Sequence, residues 1–193
     1  MLSLEESLKI LKETKALLEG HFILSSGLHS PKYVQCAQLM SKPYKANEIC
    51  ESLAEKIKKE LPDFDLILSP AMGGVIIGYE IGKLLKKETI FSERVEGKFE
   101  LRRDFKIKKD SKVLIIEDVI TTGKSSLECS KLVTSNKGVL IGYACLINRS
   151  NGKSKIKSKI TSQVELNIPT YSKENLPNDL SSIDPVKPGS RNL

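Results

Sequence analysis

The chain has 193 residues, 31 of them basic and 24 acidic, for a formal net charge of +7. That length suffices for one α/β domain with its own core, and residues 1–193 are expected to form a single domain. With five Tyr, five Phe and no Trp, and no nucleic-acid module motif, the scattered Lys excess points to small polyanionic substrates and away from nucleic acid.

Ser3 and Glu6 form a capping-box pattern, and Leu4, Leu8, Leu11 and Leu18 recur at helical spacing, predicting a first helix. Two strand-like runs, 22–24 and 33–36, flank a turn rich in Ser, Gly and Pro and predict a hairpin. His29, in that turn, has no adjacent carboxylate to set its tautomer and is expected as a turn residue, not a catalyst. Residues 44–61 read as an amphipathic helix with Ala46, Ile49, Cys50, Leu53 and Ile57 on one face, ended by Pro62. Residues 65–69 are a buried strand, and a tight turn through Gly73 and Gly74 leads into a helix over 75–85. Those glycines either admit a ligand to the backbone or serve helix packing. A third short strand covers 89–92. The charged stretch 93–104 lacks helical periodicity and predicts a hairpin or a mobile flap, although most charge runs are solvated faces. After the central motif, 138–147 is a long apolar strand delivering Asn148, Arg149 and Ser150. Residues 151–159 are a polar linker, and 163–168 an edge strand. Alternating strands and helices predict a parallel sheet covered by helices, with right-handed crossovers.

Residues 113–126, VLIIEDVITTGKSS, organise the rest. Val113 to Ile116 form a continuous apolar run, as in a strand covered on both faces. Glu117 and Asp118 follow at its carboxyl end, where ligands bind in open α/β sheets. Thr121, Thr122, Gly123, Lys124, Ser125 and Ser126 then precede a helix, a composition that converges backbone N–H groups on a phosphate. An anion cradle beside two carboxylates suits a phosphorylated sugar, whose hydroxyls the carboxylates accept. The nucleotide P-loop shares Gly123, Lys124 and Ser125 but needs Gly where Asp118 stands. An ordinary strand and capped helix would explain the apolar run and hydroxyls, not the two acids.

Four apolar residues, two acids, two further residues and Thr-Thr-Gly-x-Ser resemble the phosphoribosyl pyrophosphate (PRPP) motif of type I phosphoribosyltransferases. The resemblance implies an α/β, parallel-sheet type I fold with a small hood built from the N- and C-terminal segments, 1–40 and 160–193. Lys124 stands where orotate members often carry Gly and purine members can carry Lys. Residues 20–36, GHFILSSGLHSPKYVQC, are similar to the hood of orotate phosphoribosyltransferases, which makes Ser26 and Gly27 candidates for the pyrimidine. Ser25 stands where some members have Lys, and Gly73 replaces the Lys that some relatives place in the pyrophosphate loop. Residues 93–104 match the flexible catalytic loop that closes over the diphosphate, commonly in a neighbouring subunit's site, though they form a shorter loop without the family's His. Arg149 is implied as the partner of the orotate carboxylate, a contact that a purine base lacks. The last residues, DPVKPGSRNL, resemble the tail of one bacterial branch.

What the resemblance implies is transfer of the phosphoribosyl group from PRPP to orotate, giving orotidine 5′-monophosphate and pyrophosphate in pyrimidine (UMP) synthesis. Lys98, Arg102 and Asp118 are the candidate catalytic residues. Arg94, Glu117, Asp118, Val119, Ile120, Thr121, Thr122, Gly123, Lys124, Ser125, Gly73 and Gly74 are candidates for PRPP, and Ser26, Gly27, Thr121 and Arg149 for orotate. Mg²⁺ is expected as cofactor, held mainly by PRPP and not by a metal site of the protein. A homodimer sharing its catalytic loop is also implied. Two other classes keep the cradle: a purine or uracil phosphoribosyltransferase, and a PRPP-binding regulator without turnover. Cys36, Cys50, Cys129 and Cys145 are widely spaced without C-x-x-C, which indicates neither zinc nor disulfides and fits a reduced, cytoplasmic setting. No apolar run approaches the roughly 18 residues of a membrane span, and no membrane partner is expected.

Overall fold

The computed structural model describes residues 1–24 and 26–188. The Ser25 substitution and the tail from Gly189 to Leu193 lie outside the described residues. Helix α1 (Leu4–Glu13) starts from the full capping box, with Ser3 N–H donating to Glu6 and Glu6 N–H to Ser3 Oγ. It ends at Thr14, with Lys15 at φ 60 reversing the chain. Leu18 therefore belongs not to the helix but to strand β1 (Leu17–Ile23), where its spacing from Leu11 is coincidental. β1 pairs antiparallel with β2 (His29–Val34), and Cys36, expected to end the second strand, instead opens α2 (Cys36–Met40).

Helix α3 (Pro43–Glu60) opens with Pro at N1, where the missing N–H costs nothing. Its buried stripe of Ala46, Ile49, Cys50, Leu53 and Ile57 follows the helical period. Strand β3 (Leu66–Pro70) is buried throughout and leads into α4 (Gly73–Leu85). β4 (Glu88–Val95) and β5 (Lys98–Leu101) form a hairpin, so the charged stretch is ordered pairing with a two-residue turn in which Glu96 and Gly97 both have positive φ. The central strand β6 (Lys112–Ile120), helix α5 (Lys124–Ser135), β7 (Val139–Asn148) and β8 (Ile160–Glu165) follow, with α6 (Asn178–Ser181) near the end.

The six-stranded sheet runs β5-β4-β3-β6-β7-β8, parallel except for β5. Alternate residues feed two cores. Ile67, Leu114 and Ile116 face the side covered by α3 and α4, while Leu68, Val113 and Ile115 face α5. From β3 the chain crosses to β4 on one side, and from β6 it crosses to β7 on the other. The loops after β3 and β6 therefore splay apart at a topological switch point, where a crevice opens.

The hood is the β1–β2 hairpin edged by the C-terminal segment. Ile23 N–H donates to Val186 O, Val186 N–H to His21 O, and His29 and Tyr171 exchange both backbone bonds. His21 Nδ1–H donates to Ile183 O at 2.7 Å, which leaves its Nε2 to accept from His29 Nδ1–H at 2.6 Å. His29, expected in a turn, is instead a buried strand residue that helps to fasten the tail to the hairpin.

Candidate active site

Successive residues of a strand project to opposite faces, and the two acids at the end of β6 obey that rule. Glu117 points toward α5 and accepts from the Ser126 hydroxyl, while Asp118 lies over Gly73 at the start of α4. A Cβ built on Gly73 would come within 2.7 Å of both Asp118 carboxylate oxygens. The absence of a side chain there brings the 70–74 loop and the carboxylate together across the crevice. Burial is the main cause that raises both acids, Glu117 from 4.5 to about 7, with Asp118 adding like charge beside Glu117. Between those two pH values folded Glu117 keeps a proton that the unfolded chain releases. Stability therefore falls as pH rises through that window. Glu117→Gln is expected to remove this slope, seen as a flatter thermal midpoint between about pH 5 and 7.5 than in wild type.

After Ile120, Thr121 and Thr122 are exposed, and Gly123 adopts φ +76 as the residue before α5. Gly123 has no side chain to cap that helix; Lys124 N–H makes a long bond to Thr122 Oγ1 at 3.4 Å, and the exposed head of the helix, with the Thr121 and Ser125 hydroxyls, offers donors to an anion. The segment expected as a loose linker is in fact the wall behind this cradle. Lys155 N–H donates to Thr122 O at 3.0 Å, Ile156 is buried, and a Cβ on Gly123 would meet Ser154 Oγ at 2.6 Å and Ile156 Cγ1 at 2.8 Å.

On the β4–β5 hairpin, the Arg94 guanidinium lies 4.1 Å over the Phe99 ring, donates to Gly97 O and reaches Glu128 Oε2 on α5 at 2.6 Å. Arg102 and Arg103 both pair with Glu93, at 3.3 and 2.6 Å. Lys98 is exposed and has no ion pair among the described residues.

At the end of β7, Arg149 N–H donates to Ile120 O at 2.8 Å, which fixes its backbone beside the cradle. Its Nε is buried without a hydrogen-bond partner. Burial lowers its pKa while Tyr33, from the hood, opposes that shift electrostatically. Arginine's intrinsic basicity keeps the group cationic regardless. Ser26 and Gly27 sit exposed in the hairpin turn, with Gly27 at φ +81.

The phosphoribosyl transferase domain family matches residues 40–176. A protein of Parvibaculum lavamentivorans named orotate phosphoribosyltransferase is 43% identical over 190 residues, covering 98% of both chains. One of the same name from Carboxydothermus hydrogenoformans is 45% identical over 183 residues, covering 95% of this chain and 96% of its own. The chain belongs to the orotate phosphoribosyltransferase family. The crystal structure of orotate phosphoribosyltransferase from Aeropyrum pernix matches with a TM-score of 0.71 at 23% identity, covering 82% of this chain and 92% of that one, a likeness of fold.

Within this orotate phosphoribosyltransferase architecture, several contributors escape sequence reasoning. Glu93 and Glu128 hold the flap arginines, Ser126 holds Glu117, and Ser154, Lys155 and Ile156 back the cradle. Only Glu128 leaves a local signal, standing four residues after Lys124 on one helix face, with 3.9 Å between their charges. Among the described residues no group of three or more His, Cys, Asp or Glu is placed to hold a metal. Of the two acids at the crevice, Asp118, which lies over Gly73, is the carboxylate that could hold a hard divalent cation together with oxygens and waters from elsewhere.

Proposed function

We propose that the chain transfers the phosphoribosyl group from PRPP to orotate, yielding orotidine 5′-monophosphate and pyrophosphate for pyrimidine synthesis. The observation that carries the choice of base is the buried, unpartnered Nε of Arg149 beside the cradle. An orphaned guanidinium donor is costly unless a ligand completes it, and a carboxylate matches its fork. A purine base offers none.

Substitution at the anomeric carbon passes through an oxocarbenium-like state, so the protein's work is orientation and charge stabilisation more than covalent chemistry. Residues 121–125 cradle the 5′-phosphate through backbone N–H groups and hydroxyls. Glu117 and Asp118, from opposite faces of β6, accept from the ribose hydroxyls, and Gly73 and Gly74 present backbone to the diphosphate. Val119 and Ile120 carry the strand into the cradle and set its height. Arg149, Thr121, Ser26 and Gly27 hold orotate. Asp118 would hold Mg²⁺ together with the substrate's oxygens, and the bound ion supplies neutralising charge to the departing diphosphate. Arg94, Lys98 and Arg102 close over it, the last two as the candidate catalytic cations with Asp118.

The whole chain serves as one domain, with 1–40 and 160–193 supplying the hood and edge. A homodimer is supported by large apolar side chains left exposed, Met72 just before α4, Ile76 and Tyr79 on α4, and Tyr44 on α3. No described helix is long and apolar enough to cross a membrane. The proposal takes the enzyme to act in the cytoplasm on small molecules. If the flap serves the neighbouring subunit, mixing Lys98→Ala with Arg149→Ala protein, assayed at orotate well below the KM of the Arg149 variant so that each alone is nearly silent, restores about a quarter of wild-type activity, because half the dimers are mixed and each has one intact site. No recovery after subunit exchange argues against a shared loop.

Orotate absorbance, followed after adding PRPP and Mg²⁺, tests the function. Consumption that requires both additions is the expected result. Untouched orotate with retained PRPP binding would instead identify a different base or a sensor.

A further inference from the structure

Two of the three candidate closing cations, Arg94 and Arg102, are paired with carboxylates of the chain itself. Arg94 could have faced solvent, yet its guanidinium is held on three sides: the Phe99 ring beneath, the Gly97 carbonyl, and Glu128 Oε2 at 2.6 Å. Glu128 belongs to the second turn of α5, directly behind the cradle, and its other oxygen lies 3.9 Å from Lys124 Nζ. A carboxylate in this place is unexpected on electrostatic grounds, because it opposes every phosphate that the cradle and flap receive. Its side chain is 26% exposed and that of Arg94 38% exposed, so the pair is screened and weak enough to be exchanged.

We propose that Glu128 is a positioning residue that holds Arg94 in the open flap and yields it to the incoming diphosphate, then recaptures it when pyrophosphate leaves. This inference rests on the phosphoribosyl-transfer reading above. The physical reason is competition. A diphosphate carries several charges and more acceptor oxygens than a single carboxylate, so it wins Arg94 while bound. The carboxylate lowers the net gain of that contact, which keeps the product from binding too tightly. The Phe99 face and the Gly97 carbonyl keep the guanidinium beside the hairpin in the meantime, so that only one of its contacts has to be exchanged.

The test is pyrophosphate binding by titration calorimetry in the presence of Mg²⁺, using wild type, Glu128→Gln, Arg94→Ala and the double variant. Glu128→Gln keeps the side chain's shape on a partly exposed helical position, and its thermal midpoint reports directly whether the fold is retained. Removing the competitor is expected to tighten pyrophosphate binding roughly 3- to 5-fold and to lower KM for PRPP by a similar factor. In the Arg94→Ala background the tightening should disappear, because the competition has lost its object. An unchanged or weaker affinity in Glu128→Gln overturns the proposal. So does equal tightening with and without Arg94, which would mean that Glu128 acts only as a distant like charge. Orotate turnover by wild type separates the two levels. Turnover without pyrophosphate affinity overturns this inference alone, and absence of turnover overturns the reading beneath it.

Discussion

Replacing Arg149 by Ala is expected to raise KM for orotate about 30- to 150-fold, corresponding to the roughly 2–3 kcal/mol of a hydrogen-bonded contact between two charged groups. The side chain sits at the end of β7, where its backbone is tied to Ile120 O, and its Nε is buried and without a partner. A group so placed has already lost water in the free protein, so a carboxylate that completes it gains more than it would at a solvated surface. Arg149→Lys should recover little of the loss, since a single ammonium cannot reproduce the planar fork. The KM for PRPP should change far less than that for orotate, because the cradle and the two acids lie on other elements. Initial-rate kinetics varying each substrate in turn separate these cases. A variant that loses both affinities equally would place Arg149 in support of the loop and not on the base.

Gly123→Ala is expected to lower the thermal midpoint by about 5–15 °C and to abolish tight phosphate binding, as measured by calorimetric unfolding and by PRPP titration. Two costs add. At φ +76 an L side chain is forced into the left-handed region, at about 1–2 kcal/mol. A new methyl would also press on Ser154 Oγ and Ile156 Cγ1 at 2.6 and 2.8 Å, and such overpacking costs roughly 1–3 kcal/mol. Ile156 is part of the core on the α5 face, so the wall cannot simply retreat. Relief would come from moving residues 121–124, which are the cradle itself. Ser154→Gly combined with Gly123→Ala should restore only part of the stability, since it relieves the contact with the hydroxyl but neither the backbone conformation nor the pressure on Ile156.

The local signals in this chain were strong where one segment carries a complete device. The capping box at Ser3, the apolar run of β6, the acids after it and the hydroxyl-rich turn into α5 are each read from adjacent residues, because period, cap chemistry and loop composition are local properties. The parallel sheet and the hood of N- and C-terminal segments were legible for the same reason, through the alternation of elements and the resemblance of the motifs. Tertiary structure alone decided the rest. Leu18 continues a helical spacing yet lies on a strand, because the chain reverses at Lys15. Residues 151–159 look like solvated linker, but the strand order brings them behind Gly123 and makes Ile156 core. Adjacent acids look like a single pair, and the strand's period sends them to opposite faces, one to Ser126 and one to Gly73. The partners of the flap arginines, Glu93 on the same hairpin and Glu128 on a helix 34 positions beyond Arg94, follow from how that hairpin docks. Sequence determined what each segment is and which chemistry it can carry. Which charges meet, and which face of a strand or loop they meet on, was settled only when the sheet order brought distant segments into contact.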